Sequence, residues 1–453
     1  MLELKGKKVL VVGLGKSGLA AALFLRRRGA QVTVSDIRSA EQLAKDIPAL
    51  LEAGIMVEAG GHGLLTFRRQ DLIVVSPGVP LDTPELAQVK SFGLPVIGEL
   101  ELAARFLKGK MLAVTGSNGK TTTTTLLGEI LQQAGLPTLV GGNIGLPVVS
   151  LIDESTDESW SVLEVSSFQL ETTQEFCPEI AVILNITPDH LDRHGSFENY
   201  CTAKERIFAR QTAEDCLVLN ADNTPCAEAA SRAAARVYWF SMEHTVRQGA
   251  WLQQGSVVYR SAPDAATESV MPLSGIPLKG SHNVENVLAA VVAARLAGVA
   301  SEVICRVVEG FQAVEHRLEY VTTRNGVQFY NDSKATNVDA TSKAIAAFSG
   351  GIHLILGGKD KNSDYTLLSD LLRERVSAVY TIGAAAAKIE SHLRGVVTLY
   401  SCVTLEKAVA AAAAAARPGE VVLLAPACSS FDQFESYEHR GRVFKQIVHE
   451  LRD

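Results

Sequence analysis

The chain has 453 residues, 47% of them hydrophobic, with a formal net charge of −7. That length exceeds what one hydrophobic core organises, so roughly three domains are expected. The acidic balance argues against nucleic acid as the main partner, which needs a basic surface, and leaves room for an anionic substrate met by local Lys and Arg.

Met1-Leu2-Glu3-Leu4-Lys5 has no signal-peptide shape and leads directly into a fold. Residues 8–12 read as a strand, Gly13-Leu14-Gly15-Lys16-Ser17-Gly18 as a tight turn, and residues 19–28 as a helix stopped at Gly29. A second strand, 32–35, ends at Asp36. A third, 71–75, ends in Ser76-Pro77-Gly78, and residues 94–98 close a first domain spanning 1–98. Alternating strands and helices predict an α/β architecture on a parallel sheet. G-x-G-x-x-G after a strand, with Asp36 at the tip of the next, is the dinucleotide fingerprint. The same loop also suits another diphosphate, such as that of a UDP-sugar, or serves as a packing turn with no ligand.

The second domain, 99–313, opens with Glu99. Its apolar run 111–114 leads into Thr115-Gly116-Ser117-Asn118-Gly119-Lys120-Thr121 and a helix over 122–134. Strand, Gly-rich turn, Lys-Thr and helix form the geometry that cradles a nucleotide triphosphate. Gly116, Ser117, Asn118 and Gly119 give backbone N–H groups and Lys120 a charge. Thr121 and Thr122 open the helix, and the Thr121 hydroxyl can reach Mg²⁺. Val114 stands where the usual motif has its first Gly, so the loop is a shortened variant. Further strands are expected at 160–165, 180–185 and 216–219. A small antiparallel patch is expected within 237–274, then a helix over 283–296. Glu164, ending an apolar strand beside the phosphate loop, is placed like a Mg²⁺ ligand, although strand-end Glu residues are commonly solvated edges. His190 could bind metal or substrate, or cap a helix. Lys204 alone reads as a surface helix residue.

The third domain, 314–453, has expected strands at 327–330, 353–356, 378–382 and 421–425, with an Ala-rich helix over 408–416. Three loops follow such strands: Asn331-Asp332-Ser333-Lys334-Ala335-Thr336-Asn337, Gly357-Gly358-Lys359-Asp360-Lys361, and Pro426-Ala427-Cys428-Ser429-Ser430-Phe431-Asp432. Loops at the carboxyl ends of parallel strands converge on one ligand region. Seven Cys, at 177, 201, 216, 226, 305, 402 and 428, show no C-x-x-C spacing and read as reduced thiols of a cytoplasmic protein. No apolar run approaches the ~20 residues of a membrane span.

Taken in order, Thr115–Thr121, Gly141-Gly142-Asn143-Ile144-Gly145, Glu164–Gln169, Asp189–Arg193, His282-Asn283, His316-Arg317, Asn331–Asn337 and Pro426–Phe434 resemble the Mur ligases of peptidoglycan synthesis across the whole chain. The resemblance implies three α/β domains: a Rossmann-like UDP-binding domain, a central P-loop ATPase-like domain and a Rossmann-like C-terminal domain. It is nearest to the branch that adds D-glutamate to UDP-N-acetylmuramoyl-L-alanine, through an acyl phosphate made with ATP. Gly15, Ser17, Ser76, Pro77 and Gly78 then serve the UDP-diphosphate, Asp36 and Arg38 the uracil, and Asn143 and Ser166 the same substrate. Asn283 and Arg317 contact the nucleotide, and Asp332 accepts from the ribose hydroxyls. Thr121, Glu164 and His190 hold Mg²⁺, two ions in all, helped by Lys204 carbamylated by CO₂. Lys120, His190 and Lys204 are the implied catalytic set. Lys334, Thr336, Lys361, Ser430 and Phe431 match the D-glutamate region. A monomer is implied. Ile37 replaces a hydroxyl residue that can contact the uracil, and Tyr437 stands where Phe is common. A dehydrogenase using Gly13–Gly18 leaves Lys120 and the third domain unexplained. A nucleotide-binding regulator would not keep Lys120, Glu164, His190 and Lys204. A nearer alternative is an amide ligase of the superfamily with another acceptor, such as a folylpolyglutamate type.

Overall fold

The computed structural model describes residues 2–312 and 314–451, arranged as three sheets in succession along the chain. Met1, where the N-terminal reading starts, Ala313, the last residue of the expected second domain, and the final Arg452-Asp453 lie outside the described residues.

The first sheet is all parallel: β1 (Lys8–Val12), β2 (Gln31–Asp36), β3 (Met56–Ala59), β4 (Leu72–Val75) and β5 (Val96–Gly98), in the order β3-β2-β1-β4-β5. Val9 to Val12 are all buried, as expected for a parallel strand covered on both faces. Chain order reverses at β1, so the crevice beyond its carboxyl end is the switch point of this domain. The following helix, Lys16–Arg27, begins three residues earlier than its apolar pattern suggests. A side chain at Gly18 would run into the Gly13 carbonyl, so the glycine lets helix and strand approach closely. β3 went unread because its exposed Met56 and part-buried neighbours give no clean alternation.

The second sheet has nine strands: β6 (Lys110–Thr115), β7 (Thr138–Gly142), β8 (Trp160–Glu164), β9 (Ile180–Ile183), β10 (Cys216–Asn220), β11 (Arg236–Ser241), β12 (Gly249–Gln253), β13 (Ser256–Arg260) and β14 (Glu268–Pro272). Their order is β14-β13-β12-β11-β10-β9-β6-β8-β7. β6 lies at the switch point, between β8 and β9. The expected antiparallel patch over 237–274 is not separate. β11 continues the parallel sheet beside β10, and only β12 to β14 pair antiparallel. The reason is burial: Ala250, Val257 and Tyr259 join the core that packs on the helix Ser281–Leu296.

The third sheet comprises β15 (Glu319–Arg324), β16 (Val327–Asn331), β17 (Ile352–Gly357), β18 (Val376–Ile382), β19 (Leu399–Val403) and β20 (Val421–Leu424), ordered β15-β16-β20-β17-β18-β19. β20 is inserted between β16 and β17, and all pairs but β15–β16 are parallel. The loops after β16, β17 and β20 therefore leave the same end of three adjacent strands.

The first two sheets share a hydrophobic core. Phe24 meets Phe106 edge to face at 5.3 Å, and Arg28 pairs with Asp153 at 2.9 Å. The helix Glu99–Ala104 is buried at this junction. Glu101 accepts from the backbone N–H groups of Gln174, Glu175 and Phe176, and Glu99 from that of Val149 at 2.7 Å.

Candidate active site

The phosphate loop follows from its glycines. Gly116 (φ 155°) and Gly119 (φ 87°) take backbone conformations that L side chains avoid. They turn the chain from β6 into the helix Lys120–Gln133, and the helix N-terminus presents its free N–H groups. Lys120 Nζ donates to the carbonyls of Gly116 (2.8 Å) and Ser117 (3.0 Å). Burial lowers the Lys120 ammonium, against the pull of Glu164.

Glu164, at the tip of β8, is 1% exposed. Thr121 Oγ1 donates to its Oε2 and Asn143 Nδ2 to its Oε1, each at 2.8 Å. Burial favours the neutral acid, yet Lys334 and Lys120, with these two hydrogen bonds, hold the carboxyl below its ordinary range. A charged carboxylate beside a Thr hydroxyl and a phosphate loop is a hard-oxygen donor set suited to Mg²⁺.

Lys204 is not the surface residue that its helix alone suggests. It is 1% exposed, donates to the Gly116 carbonyl at 2.8 Å, and lies 4.6 Å from the Tyr200 ring centroid. Burial first, and then Lys120, push its pKa well below that of an ordinary lysine. The shift is towards the neutral amine. His190 adopts φ 53° and packs against Phe168 at 4.9 Å. Burial and neighbouring cations lower its imidazolium to about 4, so the ring is a neutral donor at physiological pH.

The third domain closes the cleft. Its wall brings Thr336, Lys361, Ser430 and Phe431 opposite Lys120, Asn143, Ser166, His190 and Lys204. Lys361 Nζ pairs with Asp189 Oδ1 at 3.2 Å and lies 3.5 Å from Thr336 Oγ1. Ser430 is buried, whereas Phe431 is 69% exposed at the rim. Lys334 departs from its expected neighbours: its ammonium reaches Thr121 Oγ1 in the phosphate corner. Burial lowers it to about 7, against the attraction of Glu164.

A second pocket lies between the same two domains. Asn118, Gly119 and Thr122 of the phosphate loop meet Asn283, Arg317 and Asp332 there. Burial raises the Asp332 carboxyl to about 6, with Arg317 opposing. His282 also lines this pocket, its Nδ1 without a hydrogen-bond partner among the described residues.

At the first domain's switch point, Asp36 accepts from Leu14 N (2.6 Å) and from Arg38 N and Nη2. Ser76 Oγ donates to the Gly13 carbonyl at 2.6 Å, joining the two loops. Gly15 and Gly78 are exposed, Ser17 and Pro77 half-buried, and Ile37 is 74% exposed between Asp36 and Arg38. Arg193 donates to the Val79 carbonyl (2.9 Å) and to Glu171 (3.1 Å), fixing the 76–79 loop at the cleft.

Comparison with known proteins matches three successive stretches of the chain. Residues 7–98 match the Mur ligase MurD-like N-terminal domain, 114–294 the Mur ligase middle domain, and 316–428 the Mur ligase glutamate ligase domain. A protein of Acidobacterium capsulatum named UDP-N-acetylmuramoylalanine–D-glutamate ligase is 72% identical over 99% of this chain and 97% of its own. A Koribacter versatilis protein of the same name is 60% identical over 99% of both chains. The chain belongs to the Mur ligase family. Among solved structures, the UDP-N-acetylmuramate–alanine ligase of Thermotoga maritima covers 98% of this Mur ligase and 99% of its own chain, with TM-score 0.61 and 20% identity. The MurF ligase of T. maritima in complex with ADP covers 99% and 96%, with TM-score 0.60 and 18% identity. At those identities they share the three-domain fold.

Tyr200 and Asp339 of this Mur ligase escaped the sequence reading, which has Asn337 only as part of a ligand loop, without its partner. Tyr200 lies one helical turn before Lys204, a spacing that places the pair on one face and could have revealed it. Asn337 caps the helix Val338–Ala346, and its Nδ2 donates to Asp189 at 2.9 Å. Asp339 accepts from Asn118 Nδ2. These last two contacts cross between domains and leave no local signal.

Proposed function

We infer that this Mur ligase joins the carboxylate of UDP-N-acetylmuramoyl-L-alanine to the amine of D-glutamate, with ATP converted to ADP and phosphate. The observation that carries the reading is the single cleft in which a phosphate loop faces a pocket of one cation and several hydroxyls from the third domain. The relatives' shared name, at up to 72% identity across nearly the whole chain, supports this acceptor.

The UDP moiety lies on the first domain, its diphosphate at Gly15, Ser17 and the Ser76-Pro77-Gly78 loop, its uracil near Asp36 and Arg38. Asn143 and Ser166 receive the muramoyl end. ATP occupies the pocket of Asn283, Arg317 and Asp332, with its phosphates on residues 116–122. The substrate carboxylate attacks the γ-phosphorus, ADP leaves, and an acyl phosphate results. Such a transfer needs positioning and charge neutralisation more than covalent help. Lys120 and the loop N–H groups provide it within this chain. Two Mg²⁺ ions, held by Thr121 and Glu164 and by His190 with carbamylated Lys204, would supply further neutralisation of the transferring phosphate. Carbamylation adds the neutral Lys204 amine to CO₂ and releases a proton, turning a cation into an anionic ligand. Lys361, Thr336 and Ser430 hold the two D-glutamate carboxylates, Phe431 packs on the methylene stem, and Lys334, which reaches Thr121 instead, adds positive charge at the phosphate corner. The amine then attacks the acyl carbon, loses a proton, and phosphate departs. Contacts between the second and third domains keep water from the acyl phosphate.

Within this reading the first domain is 1–98, the second 99–313 and the third 314–453, and the enzyme works as a cytoplasmic monomer. Among the described residues no helix is long and apolar enough to cross a membrane. The test is phosphate release from ATP with UDP-N-acetylmuramoyl-L-alanine and each candidate amino acid. D-Glutamate should support turnover, and L-glutamate, L-lysine and L-alanine should not. Turnover with another acceptor would assign the chain to a different ligase of the superfamily.

A further inference from the structure

Three loops build the third-domain wall of the cleft, and each gives it one polar residue. The loop after β16 carries Thr336, that after β17 Lys361, and that after β20 Ser430. None of these three side chains bonds to another beyond the 3.5 Å approach of Lys361 and Thr336. Something else must set their spacing.

Arg440 stands where the three loops meet. It lies in the first turn of the helix Tyr437–Glu450 and is 0% exposed. Its Nε donates to Ser333 Oγ at 3.0 Å and its Nη2 to the Ser333 carbonyl at 2.8 Å. Nη1 and Nη2 both donate to the Cys428 carbonyl at 3.2 Å, and Nη1 approaches the Ser429 carbonyl at 3.4 Å. The fork thus ties the first loop to the third. The second loop is drawn in too. Lys359 and Ser429 exchange backbone hydrogen bonds of 2.9 and 3.1 Å. Gly358 packs so closely that a Cβ there would come within 3.2 Å of Arg440 Nη1. Ser333 Oγ passes the restraint on by donating to the Tyr437 carbonyl at 2.8 Å.

Among the described residues no carboxylate forms an ion pair with Arg440. A buried guanidinium whose hydrogen bonds go only to carbonyls and a hydroxyl, with Asp432 acting on it only from beyond ion-pair distance, is an expensive way to fill a core, since desolvating the charge costs several kcal/mol. A hydrophobic side chain of similar size would pack there at less cost. What only a planar five-donor fork can do is fix several carbonyls from separate loops in one geometry.

We propose that Arg440 is a positioning residue for amino-acid recognition, holding the loops of Thr336, Lys361 and Ser430 in register and, through Ser333, aligning Asp332 of the nucleotide pocket with them. It touches no substrate itself. The proposal rests on the reading of this wall as the amino-acid site.

The test is steady-state kinetics of Arg440→Ala and Arg440→Lys, with the Michaelis constants for all three substrates measured separately. Wild-type turnover with D-glutamate is read first and tests the proposed function alone. If another amino acid supports turnover, the comparison uses that one. For Arg440→Ala the amino-acid KM should rise about tenfold to a hundredfold, because an ångström of misplacement is that costly. The ATP KM should rise less, and the UDP-substrate KM should not move. Millimolar guanidinium should restore the amino-acid KM towards the wild-type value, and the same concentration of urea should not. Arg440→Lys keeps the charge without the fork and should remain severalfold impaired. Three results overturn the proposal. One is an unchanged amino-acid KM in folded Arg440→Ala. Another is an equal rise in all three KM values without guanidinium rescue. The third is an Arg440→Lys enzyme indistinguishable from wild type. Should Arg440→Ala fail to fold, Arg440→Lys and Arg440→Gln decide by the same split between KM values.

Discussion

Asp189 and Lys361 meet at 3.2 Å across the seam between the second and third domains, their side chains only 7% and 12% exposed. Lys361 and His190, aided by a hydrogen bond from Asn337, hold the Asp189 carboxyl at about 2 although burial would raise it. The pair links the loop after β9 to the loop after β17. It therefore joins phosphate chemistry to amino-acid binding.

Removing one partner of a buried pair leaves an uncompensated charge. Asp189→Asn should destabilise the protein by about 3 kcal/mol. The double variant Asp189→Asn, Lys361→Met should recover part of that loss, because the stranded ammonium is gone. Denaturant midpoints decide between these outcomes, and a double variant no more stable than the single one would refute the coupling. The pH dependence has a definite sign. The folded carboxyl is depressed, so its contribution is complete above the unfolded value near 3.8 and disappears as pH falls towards about 2.

Lys120→Ala should lower ligation by about a thousandfold or more, since it removes the only side-chain cation of the phosphate loop. UDP-N-acetylmuramoyl-L-alanine should still bind with nearly unchanged affinity, as its anchors at Gly15, Ser17 and Ser76 lie on another sheet. Calorimetry with the variant checks this. Simultaneous loss of both would contradict a division of labour between domains.

Much of this arrangement could be read before any coordinates. β1, β6 and β20 are short apolar runs bounded by glycine or small polar residues, and their loops carry the recognisable motifs. Parallel strands force those loops to one end, so Lys120, Glu164 and Lys361 could be placed near a ligand from sequence alone. What could not be read is burial. Lys204 has the flanks of a surface helix residue, and only the packing of Tyr200 and the Gly116 carbonyl around it shows a desolvated amine. The family resemblance puts Lys334 with Thr336 in the D-glutamate region, yet the turn at Ala335 sends its side chain to Thr121. The Asp189–Lys361 contact spans 172 positions and has no local signature.

Glu99 offers a test at the junction of the first two domains. It is 1% exposed, and one oxygen accepts from Val149 N at 2.7 Å, with the Val148 N–H also acting on the carboxyl. Burial raises this carboxyl from 4.5 to about 7. The folded state therefore holds a proton that the unfolded state has released, and stability falls as pH rises from 4.5 to 7, then levels off. Glu99→Gln removes the titration. Relative to wild type, the variant should gain up to about 3 kcal/mol between pH 5 and pH 8. Thermal unfolding at the two pH values measures this, and a constant difference would show that Glu99 does not titrate as described.

The last prediction concerns Lys204, whose chemistry decides whether a buried lysine serves as a cation or as an anion. Its amine is enclosed by the Gly116 carbonyl and the Tyr200 ring, and Lys120 lies close enough to add electrostatic repulsion. Burial of the amine and that repulsion favour the neutral form, which can add to CO₂. An unmodified ammonium would add a further positive charge to a corner already holding Lys120 and Lys334, where the nearby carboxylates are Glu164 and Asp189, the latter already paired with Lys361. A carbamate would instead balance those cations. Lys204→Ala should therefore lose most activity, and a short carboxylate such as acetate should restore part of it by occupying the vacated space with a negative charge. An amine of similar size should not. Mass spectrometry of the native wild-type protein in bicarbonate should show the added mass, and thorough CO₂ depletion should reduce turnover reversibly. Full activity without CO₂, or rescue of the variant by an amine rather than a carboxylate, would mean that Lys204 acts as a cation after all.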